Sequence, residues 1–245
     1  MSRKLVIGDI HGGLKALVQV LERANVSKND TLIFLGDFVD GWSESPAVLD
    51  FLIALEKTHH CIFIKGNHDD LLLKWLTSNK DGFDEKMWFQ HGGEASAVAY
   101  QYIDFATKEK HIQFLESLQD YYLDDQNRLF IHAGFTNIRG VTFEFFKPLF
   151  YWDRTLWEMA LAFDMAIQKN DPLFPNRFKI YNEIFIGHTP VTKINETQPV
   201  HKACVWNVDT GAAFMGKLTI MDADTKAFWQ SDALPDLYPN EKGRN

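Results

Sequence analysis

Cysteine is nearly absent from this chain: its 245 residues include two, Cys61 and Cys204, each inside an apolar, strand-like run. Two isolated cysteines exclude a disulfide framework and leave free thiols in a reducing compartment. Long hydrophobic runs are missing as well. No stretch approaches membrane-spanning length, and the opening MSRKLVIGDIHGG lacks the apolar segment of a signal peptide, so a cytoplasmic location and no membrane partner are expected. Basic charge is scarce, with Lys and Arg numbering 25 against 33 Asp and Glu, a net charge of −8. That balance excludes the clustered cations of a non-specific nucleic-acid grip. No Pro/Gly/Ser-rich linker, low-complexity tract or internal repeat divides the chain. One domain over 1–232 follows, ended by a polar, Pro-punctuated tail, 233–245, that is expected to fray.

What is present is 46% hydrophobic residues, including 20 Phe, enough for one sizeable core. Strand-length runs at 4–8, 31–35 and 61–65 alternate with segments of helical periodicity near 13–24, 45–57 and 69–77, the grammar of a parallel sheet covered by helices. Residues 80–126 are expected to be mostly helical and surface-like, and 141–182 to form a helical, aromatic-rich cap. The short alternating runs at 204–210, 216–222 and 226–230 suggest an antiparallel or mixed second sheet.

Five of the hydrophobic runs share a further feature. LVIGDIHG, LIFLGDFVD, IFIKGNHDD, LFIHAG and IFIGHT each carry a buried-strand stretch into glycine and metal-type side chains. They deliver Asp9, His11, Asp37, Asn67, His132 and His188, with Asp40 and His68 beside them. The carboxyl ends of strands are where open α/β sheets place ligands. Oxygen and imidazole donors without thiolate suit Mn, Fe or Zn, and six such donors suit two ions rather than one. Any single Asp or His after a strand is ordinarily a helix cap or a structural residue; the repetition carries the signal.

The series GDIHG, GDFVDG, GNHD, HAG and GHT, in that order from Asp9 to about Gly211, resembles the metallophosphoesterases of the phosphoprotein phosphatase type. That type includes Ser/Thr protein phosphatases and symmetrical diadenosine tetraphosphate hydrolases. The resemblance implies a four-layer α/β/β/α sandwich with two divalent ions, manganese first, at the top of the sheets. It implies Asp9 and His11 on the first ion, Asp37 bridging, and Asn67, His132 and His188 on the second. It implies His68 as proton donor to the leaving group, held by Asp40, with Asn67 and Arg154 contacting the substrate. One position departs from the pattern. The protein phosphatases carry an arginine after GDxVD that forks onto phosphate, and here Gly41 stands there. Trp42 is read as either a mouth residue or a packing residue, and Asp209 as a partner of a ligand histidine.

The leading expectation is a dimetal phosphomonoesterase acting on phosphoserine, phosphothreonine or a small phosphate ester. The alternative is a hydrolase of dinucleoside polyphosphates, which uses the same metals. A phosphate-binding scaffold without turnover would rest on Gly41 alone, and a metallonuclease is disfavoured by the acidic charge. Bound dications would invert that acidic field locally, so phosphate substrates are compatible with it. Oligomeric state and pathway are not encoded in these features.

Overall fold

The computed structural model describes residues 2–79 and 81–244. The chain runs β1 (Lys4–Ile7), α1 (Leu14–Arg23), β2 (Thr31–Phe34), α2 (Ser45–Leu55), β3 (His60–Phe63), α3 (Asn67–Leu76), α4 (Glu85–Trp88), α5 (Glu94–Tyr100) and α6 (Phe105–Ser117). It continues with β4 (Tyr121–Leu123), β5 (Arg128–Ile131), α7 (Leu149–Trp152), α8 (Thr155–Ala162), α9 (Arg177–Ile180), β6 (Glu183–Ile186), β7 (Val200–Lys202), β8 (Val205–Asn207), β9 (Lys217–Asp222), β10 (Phe228–Ala233) and α10 (Leu234–Leu237). Two five-stranded sheets result, in the orders β10-β9-β1-β2-β3 and β4-β5-β6-β8-β7.

Strand periodicity builds the layers. In the first sheet Leu5, Ile7, Leu32 and Phe34 face the helices, while Val6, Ile33 and Ile62 face the second sheet. In the second, Phe130 and Phe185 meet that inter-sheet core, while Leu129, Ile131, Ile184 and Ile186 face outward. The Phe130 and Phe185 rings stack at 4.9 Å across neighbouring strands. Successive side chains of each strand therefore enter different cores, and the four layers are α/β/β/α as expected.

Several expectations need correction. The strands after residue 204 do not form one sheet. β8 lies parallel to β6 in the second sheet, whereas β9 runs antiparallel to β1 and brings β10 into the first. Short alternating runs specify a half-buried strand but not its partner. Segment 80–126 is not surface-like: Trp88, Tyr100, His111, Phe114 and Leu115 are buried against the first core. Segment 141–182 is helical and aromatic as expected, in short helices joined by turns. Its Phe150, Leu156, Trp157 and Phe178 form the fourth layer on the second sheet. The tail was expected to fray, but its described residues, 233–244, are packed against the first sheet's loops. After α10, the Tyr238 ring stacks on Trp42 at 5.2 Å, and Glu241 accepts hydrogen bonds from the Ser43 amide and hydroxyl at 2.9 and 2.8 Å. Trp42 itself is fully buried and donates to the Ala212 carbonyl, a packing residue and not a mouth residue.

Cys61 and Cys204 are free and half-buried. Burial, and secondarily Glu56, pushes the Cys61 thiol up to about 12; burial pushes Cys204 up to about 11. Both are poor nucleophiles at neutral pH. Among the described residues no helix is long and apolar enough to cross a membrane.

Candidate metal centre

Parallel β1, β2 and β3, and β5 and β6 in the facing sheet, all end at the same edge of the sandwich, and the polar residues that follow them converge there. The approach is close. A Cβ at Gly66 would lie 2.2 Å from both the amide nitrogen and Oδ1 of Asp37, so only glycine lets these two loops touch. Four of the delivered residues, His11, Asp37, Asp40 and His188, adopt left-handed backbone with φ of 53°, 52°, 71° and 68°. Such strain persists where surrounding structure over-determines it, and it clusters at functional sites.

Asp37 lies at the centre. Its Oδ1 accepts the His68 amide at 2.9 Å, while Oδ2 sits 3.5 Å from His11 Nε2 and 3.5 Å from His132 Nε2. Two groups of side chains are placed to hold an ion, His11 with Asp37 and His68, and Asp37 with His132 and His188, and Asp37 is common to both. Asp9 Oδ2 is 3.9 Å from His11 Nε2 and accepts the His188 amide at 3.0 Å. Asn67 Oδ1 is approached by His132 Nε2 at 3.2 Å and by His188 Nδ1 at 2.9 Å.

Backbone carbonyls orient the imidazoles. His11 Nδ1–H donates to Val39 O at 3.2 Å and His132 Nδ1–H to Leu35 O at 2.8 Å, which leaves each Nε2 lone pair facing the cluster. Burial holds these rings neutral, the ligand form: His11 and His188 lie well below the ordinary histidine value and His132 falls to about 3. The carboxylates shift the other way. Burial first, then repulsion from Asp209 and Asp37, holds Asp9 well above the usual range, and burial with Asp69 does the same for Asp37.

Asp9, Asp37, Asp40, Asp69 and Asp209 are each no more than 4% exposed. Carboxyls gathered so closely out of water repel one another when ionised, and bound cations would relieve that repulsion. Asp9 Oδ1 and His188 Nε2 are buried and have no hydrogen-bond partner among the described residues. The donor set, the neutral imidazoles and the crowded carboxyls fit divalent ions.

His68 Nδ1 lies 2.7 Å from Asp40 Oδ2, so its Nε2 is the nitrogen left for the cluster. Asp40 is fixed by Trp88 Nε1–H at 2.6 Å and the Ser96 hydroxyl at 2.6 Å. Burial pushes Asp40 up to about 7, while the Ser96 and Trp88 donors pull it back toward carboxylate.

Sequence reasoning missed three of these supports. Asp69 accepts amides of Asp37, Phe38 and Gly66 at 2.9, 2.9 and 2.8 Å and so ties two loops together. Its position, third in a helix that starts after Gly66, is the capping-box site and was the available signal. Trp88 and Ser96 come from the region read as surface. Asp209 was expected to hold a ligand histidine, but its carboxylate accepts the Gly211 amide at 3.0 Å.

A cavity of about 110 Å³ opens over Asp37, Asn67, His68 and His188, and Trp152 at the end of α7 and Arg154 just before α8 line it. The Trp152 indole is 38% exposed, its ring 6.3 Å from that of His188, and Arg154 donates to the Thr189 hydroxyl at 3.3 Å.

The family described as calcineurin-like phosphoesterase matches residues 2–212. The asymmetrical bis(5'-nucleosyl)-tetraphosphatase PrpE of Anoxybacillus flavithermus is 27% identical over 239 residues, spanning 88% of each chain. A crystal structure of a proposed diadenosine tetraphosphatase superposes with a TM-score of 0.61 at 19% identity, covering 94% of this chain and 92% of that one. A protein serine/threonine phosphatase from Saccharomyces cerevisiae gives 0.58 at 14% identity, covering 95% and 80%.

Proposed function

We propose that this chain, which belongs to the calcineurin-like phosphoesterase family, is a two-metal hydrolase of nucleotide phosphate anhydrides, with dinucleoside tetraphosphates as its substrate class. One observation carries the substrate assignment: an exposed indole, Trp152, lines the same small cavity as the ligand residues and Arg154. A nucleobase stacks on such a face, and a simple phosphomonoester brings nothing to it. The PrpE relative, similar along most of its length, supports the same choice. The phosphoserine or phosphothreonine reading that led from the sequence becomes the second reading. It is favoured by the His68–Asp40 pair, because an alkoxide leaving group needs a proton more than a phosphate does.

In this account Asp9, His11 and Asp37 hold one ion and Asp37, Asn67, His132 and His188 the other. Manganese is assigned first, with iron or zinc next, on the oxygen and imidazole donors. Two bound dications supply Lewis acidity to the phosphoryl oxygens and lower the pKa of a coordinated water toward neutrality. Arg154 binds the phosphate chain, and Trp152 positions a base. His68, its Nδ1–H held by Asp40, would donate from Nε2 to the departing oxygen in its imidazolium form.

The test compares diadenosine tetraphosphate, p-nitrophenyl phosphate and a phosphothreonine peptide on manganese-restored protein. The highest kcat/KM is expected for the dinucleotide. Trp152→Ala should raise KM for the dinucleotide by roughly tenfold, the size of a lost base stack, and leave the phosphothreonine peptide, whose phosphorylated side chain has no ring, unchanged. Preference for the peptide, or an equal effect of Trp152→Ala on the dinucleotide and the peptide, would overturn the nucleotide assignment.

A further inference from the structure

Gly41 stands where the resembling phosphatases place a phosphate-binding arginine, and the structure brings another arginine to the same place. Both Gly41 and Gly92 have positive φ, 93° and 101°, and the Gly41 amide donates to the Gly92 carbonyl at 3.0 Å. The stem of Arg244 packs against this pair. A Cβ at Gly41 would lie 3.2 Å from Arg244 Cγ, and one at Gly92 would lie 2.8 Å from it. A Cβ at Gly92 would force the stem aside and one at Gly41 would require it to give by a few tenths of an ångström, so the two glycines, both in left-handed backbone, form the floor on which the Arg244 stem lies.

The anchoring of Arg244 is built rather than incidental. Its amide donates to the Ala213 carbonyl at 2.9 Å, and its guanidinium lies 5.2 Å from the Phe214 ring centre. Before it, Gly243 fits against the Trp42 ring and the Ala213 carbonyl, at a φ of 59°. Glu241 on Ser43 and Tyr238 on Trp42 tie the same segment to the loop that carries Gly41. Arg244 thus reaches the cavity that contains Asp37, Asn67, His68 and Arg154. Its Nε is buried and has no hydrogen-bond partner among the described residues.

We infer that Arg244, delivered by the folded-back tail across Gly41 and Gly92, is a phosphate-binding residue of this site and forms a two-arginine clamp with Arg154. The inference rests on the phosphoesterase reading above and deepens it. A guanidinium offers a planar fork of donors to phosphoryl oxygens, and a donor without a protein partner is available to them.

The test measures binding of inorganic phosphate to manganese-loaded protein by calorimetry, alongside metal content and Tm. Arg244→Ala is expected to weaken phosphate binding roughly 10- to 100-fold, the size of one or two lost hydrogen bonds to a charged group, with two metals retained and Tm nearly unchanged. The double variant Gly41→Arg/Arg244→Ala is expected to recover much of that affinity, because the guanidinium then comes from the other side of the same gap. Unchanged phosphate affinity in Arg244→Ala overturns the inference. So does a loss of metal or a large fall in Tm that accompanies the weakened binding, since Arg244 would then be structural. A double variant no tighter than the single one overturns the exchange of one arginine for the other. The phosphate measurement does not depend on the organic substrate. If diadenosine tetraphosphate is not hydrolysed, Arg244 is still decided by it; if the dinucleotide is hydrolysed and phosphate binding does not change, only this inference falls.

Discussion

Asp37→Asn is expected to lower kcat/KM by about a thousandfold or more, the kinetic equivalent of several kcal/mol of lost Lewis-acid stabilisation. Asp37 alone belongs to both groups of side chains placed to hold an ion, with one oxygen 3.5 Å from a histidine of each. The amide keeps the shape and one acceptor, so the His68 amide hydrogen bond can survive. What is lost is the negative charge of the one carboxylate that both candidate ion-binding groups would share. Steady-state kinetics with elemental analysis of the purified variant checks this. Less than two metals per chain and no turnover is the expected pair of results; near-normal activity with two metals would remove Asp37 from the bridge.

His68→Asn is expected to retain both metals and lose about 10²- to 10⁴-fold in kcat, the range typical of a general acid. The geometry makes metal content the informative readout. His68 is grouped with His11 and Asp37, so position alone admits it as a ligand, while its Nδ1 is held by Asp40 at 2.7 Å. Departing phosphate is a far weaker base than departing alkoxide. The loss should therefore be larger on an alkyl phosphomonoester than on diadenosine tetraphosphate. Loss of one metal from the variant would instead make His68 a ligand, and an equal loss on both substrates would take the proton from elsewhere.

The candidate ligand positions are legible in the sequence because of a simple physical rule. Parallel strands buried on both faces read as continuous apolar runs, and their loops fall at one edge. Asp9, Asp37, Asn67, His132 and His188 follow five such runs, and the structure gathers them around one cavity and its floor. The positions that stabilise the cluster are less legible. Ser96 and Trp88 reach Asp40 from helices whose polar residues resemble a solvated face, and only their packing reveals the inward turn. The assignment of β8 to one sheet and β9 to the other depends on non-local pairing that a short alternating run does not encode. Arg244 is the extreme case. A charged residue in a Pro-punctuated, polar segment carries the composition of a frayed tail, yet Tyr238, Glu241 and Gly243 each find a specific partner around Trp42. The absence of arginine at position 41 was the only sequence signal, and it pointed to loss rather than to replacement.

Five aspartates lie within the site region at no more than 4% exposure, and four site residues adopt left-handed backbone. Strain of this kind costs about 1–3 kcal/mol per residue, and the surrounding hydrogen bonds to Asp69, Val39 and Leu35 hold the loops in place against it.

The central claim is a two-metal centre that hydrolyses a nucleotide anhydride, and titrating metal into chelator-stripped protein tests it most directly. Manganese would be added stepwise while bound metal per chain and the release of nucleotides from diadenosine tetraphosphate are followed together. The account predicts no turnover without metal and activity that appears as the second ion binds, reaching its plateau at two per chain. Full turnover in stripped protein, or a plateau at one ion, would contradict it.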